Sequence, residues 1–264
     1  MMYTELQVTS NFSFLRGGSH PDELVIQASA MGYTALAITD HNTLAGVVRA
    51  HVAAKKAGLK LIVGCHLELI DGPPLLAYPT DLHAYGRLSG LLSKGNRRAE
   101  KGECHLYKKD VYNFKEGMRF IIVAPLKLNR DFDFADDFKS ALAEYHQNLG
   151  DALYLGASRS YQSNDAKRLY RLSQLACEFN IRMIATNDVH YHHPDRRQLQ
   201  DVLTCIREKC TIDTARFRLY PNAERHLKPA DEMERLFRKY PDALAATQEI
   251  VKSCQFSLDS LKYV

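Results

Sequence analysis

Short apolar runs and amphipathic stretches take turns along most of the chain. Residues 3–9 carry β-type side chains and predict a first strand. Ser19, with Pro21 and Asp22 behind it, opens a helix that Gly32 can close. Residues 35–39 are a short apolar run that predicts a buried strand, and 44–57 a helix stopped by Gly58. Residues 59–69 are rich in Leu, Ile and Val, and Asp71-Gly72-Pro73-Pro74 then turns the chain. A strand over 75–78 and a helix over 82–93, ended near Gly95, follow. Further strands are predicted at 120–124 and 153–157, separated by a helix near 136–149, and a strongly periodic helix covers 165–179. Residues 182–186 form the last buried strand.

Short strands followed by helices imply parallel pairing, because each parallel connection needs a crossover. Seven such strands favour a barrel-like β/α fold over an open sheet. From Pro194 the strand signal fades, and 195–206 and 231–237 look helical. The expected organisation is an α/β chain with a barrel domain over 1–193 and a mainly helical extension over 194–264.

Composition narrows the function classes. The chain of 264 residues is 45% hydrophobic and 25% charged, the balance of a globular protein rather than a disordered one. A net charge of +4 permits nucleic-acid contact without arguing for it. The six cysteines contain no C-x-x-C pair, which excludes zinc ribbons and thioredoxin-like motifs. The opening Met-Met-Tyr-Thr-Glu lacks the basic and apolar regions of a signal peptide, and no apolar run approaches bilayer length, so a cytoplasmic location without membrane contact is expected. No P-loop, G-x-G-x-x-G or Ser-His-Asp order is present.

In a β/α barrel the functional residues gather where strands end. Ile38-Thr39-Asp40-His41 is one such end, and Ala185-Thr186-Asn187-Asp188-Val189-His190 another. Asp188 and His190 are two apart, so on an extended segment they share one side, and an imidazole beside a carboxylate suits a divalent metal. Either pair alone more often caps a helix; the two pairs at equivalent strand ends balance the two readings. His66 and Glu68 share a strand face by the same period of two. His192 and His193 precede Pro194 and fit an exposed loop, while His20, His51, His83, His105, His146 and His226 fit surface or capping roles. Basic clusters occur at Lys94, Arg97, Arg98 and Lys101, at Lys108 and Lys109, at Arg168 with Arg171, and at Arg196 with Arg197. Each reads first as a solvated face and second as a phosphate-backbone contact. The stretch 94–101 is the exception, because Gly95 and Asn96 predict a flexible turn for its charges.

Four segments together carry a family resemblance. They are Ser10-Asn11-Phe12-Ser13-Phe14-Leu15-Arg16-Gly17 with Ser19-His20-Pro21-Asp22-Glu23-Leu24; Ala37-Ile38-Thr39-Asp40-His41 with Leu44-Ala45-Gly46-Val47-Val48; Ala185 to His190 continuing through Leu199-Gln200-Asp201-Val202-Leu203-Thr204; and Pro221-Asn222-Ala223-Glu224-Arg225-His226-Leu227. Over its whole length the chain resembles a PHP (polymerase and histidinol phosphatase) domain, more narrowly that of the error-prone branch of C-family DNA polymerases. The resemblance implies a distorted PHP-type (β/α)7 barrel with a metal cluster in its mouth. His41, Asp188 and His190 match the family pattern. The first-strand His-x-His falls on Gln7 and Thr9, the bridging Glu on His66, and a later His near Pro74. The implied site is therefore degenerate: His41, His66, Asp188 and His190 would hold zinc or manganese at partial occupancy or not at all. Asp40 and Glu68 would support or replace ligands, with Gln7 and Thr9 lining the cleft.

The resemblance also implies a much longer polymerase with its catalytic carboxylates elsewhere, and the tail Phe256 to Val264 reads as a cut before that core. The expected role is structural, bracing the polymerase and its template-primer duplex through phosphate contacts at Lys94, Arg97, Arg98 and Lys101. The sliding clamp and lesion-bypass accessory proteins are the further partners implied. The alternatives are an active metal-dependent phosphoesterase or 3′–5′ exonuclease, and a free-standing phosphatase on a small ester.

Overall fold

Six of the predicted apolar runs are strands of one curled sheet in the computed structural model, which describes residues 3–261. They are β1 (Ala35–His41), β2 (Lys60–Leu67), β3 (Leu75–Pro79), β4 (Met118–Val123), β5 (Leu153–Ser158) and β6 (Arg182–Thr186), paired in chain order. The helices are α1 (Pro21–Ala30), α2 (Val47–Ala57), α3 (Leu82–Arg97), α4 (Lys108–Phe114), α5 (Asp136–Leu149) and α6 (Asp165–Glu178). After residue 193 come α7 (Arg197–Arg207), α8 (Ile212–Ala215), α9 (Ala230–Leu236) and α10 (Pro241–Ser253).

Pairing is not parallel throughout. β1/β2, β4/β5 and β5/β6 are parallel, but β3 runs antiparallel to both β2 and β4. The connection 68–74 is too short for a crossover, so β3 has to return beside β2. The predicted first strand is also irregular. Residues 3–9 lie between the two sheet edges, with Ala37 N bonding Glu5 O (3.0 Å) and Thr39 N bonding Val8 O (2.8 Å) on one side. On the other side Thr9 N bonds Val189 O and Val189 N bonds Gln7 O, both at 2.8 Å. The step from Glu5 to Val8 answers the shorter step from Ala37 to Thr39, a bulge-like mismatch that leaves Val8 with a lone bridge to Val189. This segment bridges the sheet's edge strands.

Alternation then sorts the side chains. Leu6, Ala35, Ala37, Ile62, Leu76, Tyr78, Ile121, Tyr154 and Ile184 meet inside the curl, where Ala246, Ile250 and Cys254 close one end. Their sequence neighbours face outward into the larger core with the helices. The hydrophobic pattern predicts no element over 241–253, because α10 buries mainly small residues such as Ala243, Ala246 and Thr247. α1 starts one residue later than predicted, with His20 as N-cap in a capping box with Glu23, while the Ser19 hydroxyl bonds His192 Nδ1 at 2.7 Å. α2 starts at Val47 rather than near Leu44, and Gly58 ends it at φ 65°. α3 does not stop at Gly95. A Cβ there would lie 2.6 Å from both Cys104 Sγ and Leu106 Cδ2, so this glycine is a packing position inside the helix rather than a turn.

Glu5 is a buried carboxyl in the bridging segment, accepting from Tyr3 Oη (2.6 Å), Gln7 N (2.9 Å) and Asn187 N (3.2 Å). Burial pushes its pKa from the usual 4.5 up to about 7. The folded protein therefore keeps this proton after the unfolded chain has lost it. Stability contributed here is greatest below about pH 4.5 and falls as pH rises to about 7, by roughly 3 kcal/mol at most. Glu5→Gln is expected to gain on the wild type between pH 5 and pH 8 in urea unfolding, and an equal difference at both pH values would contradict this.

Candidate metal centre at the sheet mouth

The register of β1 and β2 sets His41 opposite His66 at their C-terminal ends. Their rings stack with centroids 4.0 Å apart and 18° between planes. Two residues on, Glu68 places Oε1 2.8 Å from His41 Nδ1 and 3.9 Å from His66 Nε2. The ligand atoms of these three residues all lie within 4.8 Å of one another, the only such set among the described residues.

Their protonation suits a cation. Burial, and then the neighbouring His41, push the His66 pKa from 6.5 down to about 3, so the ring is neutral. The hydrogen bond from His41 holds the Glu68 carboxyl down at about 2, so it is ionised. Both ring nitrogens of His66 are buried without a hydrogen-bond partner. Such orphans are uncommon and costly, and an ion or a water on one of them would remove the cost. Two imidazoles and a carboxylate are a proper donor set for one zinc or manganese ion.

Asp188 and His190 meet elsewhere in the same cavity of about 860 Å³. They do not share a side of an extended strand. β6 stops at Thr186, and Asp188 turns the chain at φ 49°, a left-handed conformation that Asp tolerates better than most residues. Asp188 Oδ1 lies 3.4 Å from His190 Nε2 and accepts from Gln7 Nε2 at 3.0 Å. Its Oδ2 is paired with Arg225, whose Nη1 is also 3.2 Å from His190 Nε2. Burial works to raise the Asp188 carboxyl, but the Arg225 guanidinium beside it outweighs burial and holds it well below the usual carboxylate range. Arg225 sits in the loop before α9. It belongs to the family segment Pro221 to Leu227, but a lone arginine in a loop carries no spacing signal that would mark its chemistry.

The four ligands expected to share one ion thus fall into two pairs. His41 and His66 are joined by Glu68; Asp188 and His190 are joined by Arg225, with Gln7 bonded to Asp188. Gln7 lines the cavity, whereas Thr9 is buried outside its lining with its amide on Val189 O. Asp40 does not reach the mouth. It points to the other face of β1 and accepts from Ser10 N (2.8 Å), Ser10 Oγ (2.8 Å) and Ser13 Oγ (2.6 Å), fastening the loop that carries Arg16. Pro74 lines the cavity and offers no ligand.

The basic clusters are mostly committed within the fold. Lys94 and Arg98 both pair with Asp110 of α4, at 2.8 and 2.6 Å, and belong to the end of α3 rather than to a flexible turn. Arg97 and Lys101 are exposed. Lys108 pairs with Glu144, Arg196 with Glu23, and Arg197 with Asp201. Arg168 is buried.

Residues 5–160 match the PHP domain family. The chain is 48% identical over 262 residues to the error-prone DNA polymerase of Caulobacter vibrioides, covering 99% of this chain and 24% of that one. It is 46% identical over 264 residues to error-prone DNA polymerase 3 of Agrobacterium fabrum, covering 100% and 24%. It therefore spans about a quarter of the length of these curated relatives. Among solved structures, an amidohydrolase from Chromobacterium violaceum has a TM-score of 0.54 at 15% identity, over 71% of this chain and 87% of that chain. A metal-dependent phosphoesterase candidate from Bifidobacterium adolescentis has a TM-score of 0.53 at 16% identity, over 72% and 88%. At such identities the likeness is one of fold. Among the described residues no helix is long and apolar enough to cross a membrane.

Proposed function

The chain belongs to the PHP domain family, and from that premise we propose that it is the bracing PHP domain of an error-prone C-family DNA polymerase rather than a phosphodiester hydrolase. The observation that carries this reading is the state of Gln7. Its carboxamide donates to Asp188 (3.0 Å) and accepts from Thr186 Oγ1 (2.9 Å), so the place of a first-strand ligand is taken by a side chain satisfied at both ends. A carboxamide so engaged is no substitute for an imidazole in a multi-metal cluster.

What remains is one three-donor set. His41, His66 and Glu68 would hold a single zinc or manganese ion, at partial occupancy or not at all, and when bound it would supply a Lewis acid at the mouth. The chain's own groups act without it: Glu68 orients His41, and neutral His66 keeps a lone pair inside the cavity. The parent polymerase would contribute DNA synthesis and lesion bypass in the cytoplasm. Its partners would be the template-primer duplex, the remaining polymerase domains, the sliding clamp and bypass accessory proteins. Arg97 and Lys101, exposed beside the occupied Lys94 and Arg98, are the cations left for phosphate contact.

An active phosphoesterase draws support from one observation, the orphaned His66 nitrogens. One assay separates the readings. The protein loaded with manganese or zinc is given a primer with a frayed 3′ end and, separately, an aryl phosphate. Release rates no higher than those of a His66→Ala variant are expected. A working metallohydrolase would accelerate release by roughly 10⁶-fold or more, and loss of that rate in His66→Ala would overturn the proposal.

A further inference from the structure

We infer that Arg225 is a built-in cation standing where Asp188 and His190 would otherwise bind an ion, so that this half of the mouth admits no metal. The inference goes beyond the bracing role and rests on the family reading only in expecting a metal at Asp188 and His190.

Both lone-pair sets of the half-site already point at the guanidinium. Asp188 Oδ2 is its ion-pair partner, while Oδ1 is used by Gln7. His190 Nδ1 lies 3.3 Å from the Arg16 carbonyl, which can only accept, so Nδ1 carries the proton. Nε2 is then an acceptor, and the N–H facing it at 3.2 Å belongs to Arg225. A metal here would need Nε2 and a carboxylate oxygen, and so would compete with Arg225 for Nε2 and Oδ2, or with Gln7 for Oδ1, which lies 3.4 Å from Nε2.

The guanidinium is also fixed in place. It lies over the Tyr220 ring at 3.9 Å. The Arg225 carbonyl accepts from His190 N (2.9 Å) and Tyr191 N (3.3 Å), so the backbone that bears the cation is stitched to the backbone that bears the imidazole. Arg225 is 8% exposed and Asp188 lines the cavity beside it. A carboxylate in that position needs a cation, and arginine supplies one that neither deprotonates nor dissociates. The mouth therefore has one exchangeable position, at His41, His66 and Glu68, beside one permanent positive charge.

Elemental mass spectrometry after loading with zinc or manganese and dialysis tests this. The wild type is expected to retain at most about one ion, unchanged in Asp188→Asn/His190→Ala and lost in His66→Ala. Arg225→Ala should gain about one ion and acquire a melting temperature that rises with added metal, and Arg225→Ala/Asp188→Asn should lose that gain. A lower ion count in Asp188→Asn/His190→Ala than in the wild type would overturn the inference even if no Arg225 variant folds. So would a folded Arg225→Ala with the wild-type count. Nuclease activity in the wild type would defeat the bracing proposal and leave these counts unaffected.

Discussion

Arg168→Ala is expected to destabilise the protein by roughly 4 kcal/mol. Beside Arg171 on a periodic helix, Arg168 reads in the sequence as a solvated cation or a phosphate contact. It is instead 2% exposed. Its Nε donates to Pro125 O (2.8 Å), Nη1 to Ser158 O (2.8 Å) and Nη2 to Ala124 O (3.3 Å). Pro125 and Ala124 follow the end of β4 and Ser158 ends β5, so one guanidinium from α6 laces two neighbouring strands at the mouth. Burial lowers its pKa to about 10, which still leaves it charged at neutral pH. Alanine would leave three carbonyls without that donor and a cavity where the side chain lay. Lysine, with a point charge in place of a fork, should recover less than half of the loss. Urea unfolding of the three proteins measures this, and a loss below about 1 kcal/mol for Arg168→Ala would show that water replaces the guanidinium freely.

Gly17→Ala should cost about 3 kcal/mol or more, for a different reason. A Cβ at Gly17 would lie 2.1 Å from Ser10 O, 2.2 Å from Ser10 C and 2.7 Å from Thr9 O. These are backbone atoms, and Asp40 holds that backbone through Ser10 N. Relief therefore requires the whole 10–17 loop to move, and with it the Arg16 carbonyl that orients His190. The next residue is an internal control. A Cβ at Gly18 would meet nothing nearer than Gln200 Oε1 at 3.4 Å, ordinary contact, so Gly18→Ala should cost less than about 1 kcal/mol. Thermal unfolding of both variants decides the ordering, and equal losses would show that the loop yields.

Much of this was legible in the chain. Residues 136–149 and 182–186 were predicted with the bounds the structure has, because each has a clear period and a clean stop. His41 is legible as a residue at the end of an apolar run, and His66 by the period of two it shares with Glu68; the structure sets the two opposite each other at the ends of β1 and β2. α10 and α4 were missed for want of a strong apolar period, one being rich in small residues and the other only seven residues long.

By itself, then, the sequence determined the identity of most elements, their order and the face each residue would take, because these follow from hydrophobic period and backbone sterics over a few residues. Only the tertiary structure decided the burial of Arg168 and the division of the mouth between Glu68 and Arg225. Those depend on which groups meet across long stretches of chain: Arg225 and Asp188 are 37 positions apart, Gln7 and Asp188 181. No local pattern records such a meeting. It is set by the closure of the sheet and by the cost of leaving a buried charge without a partner.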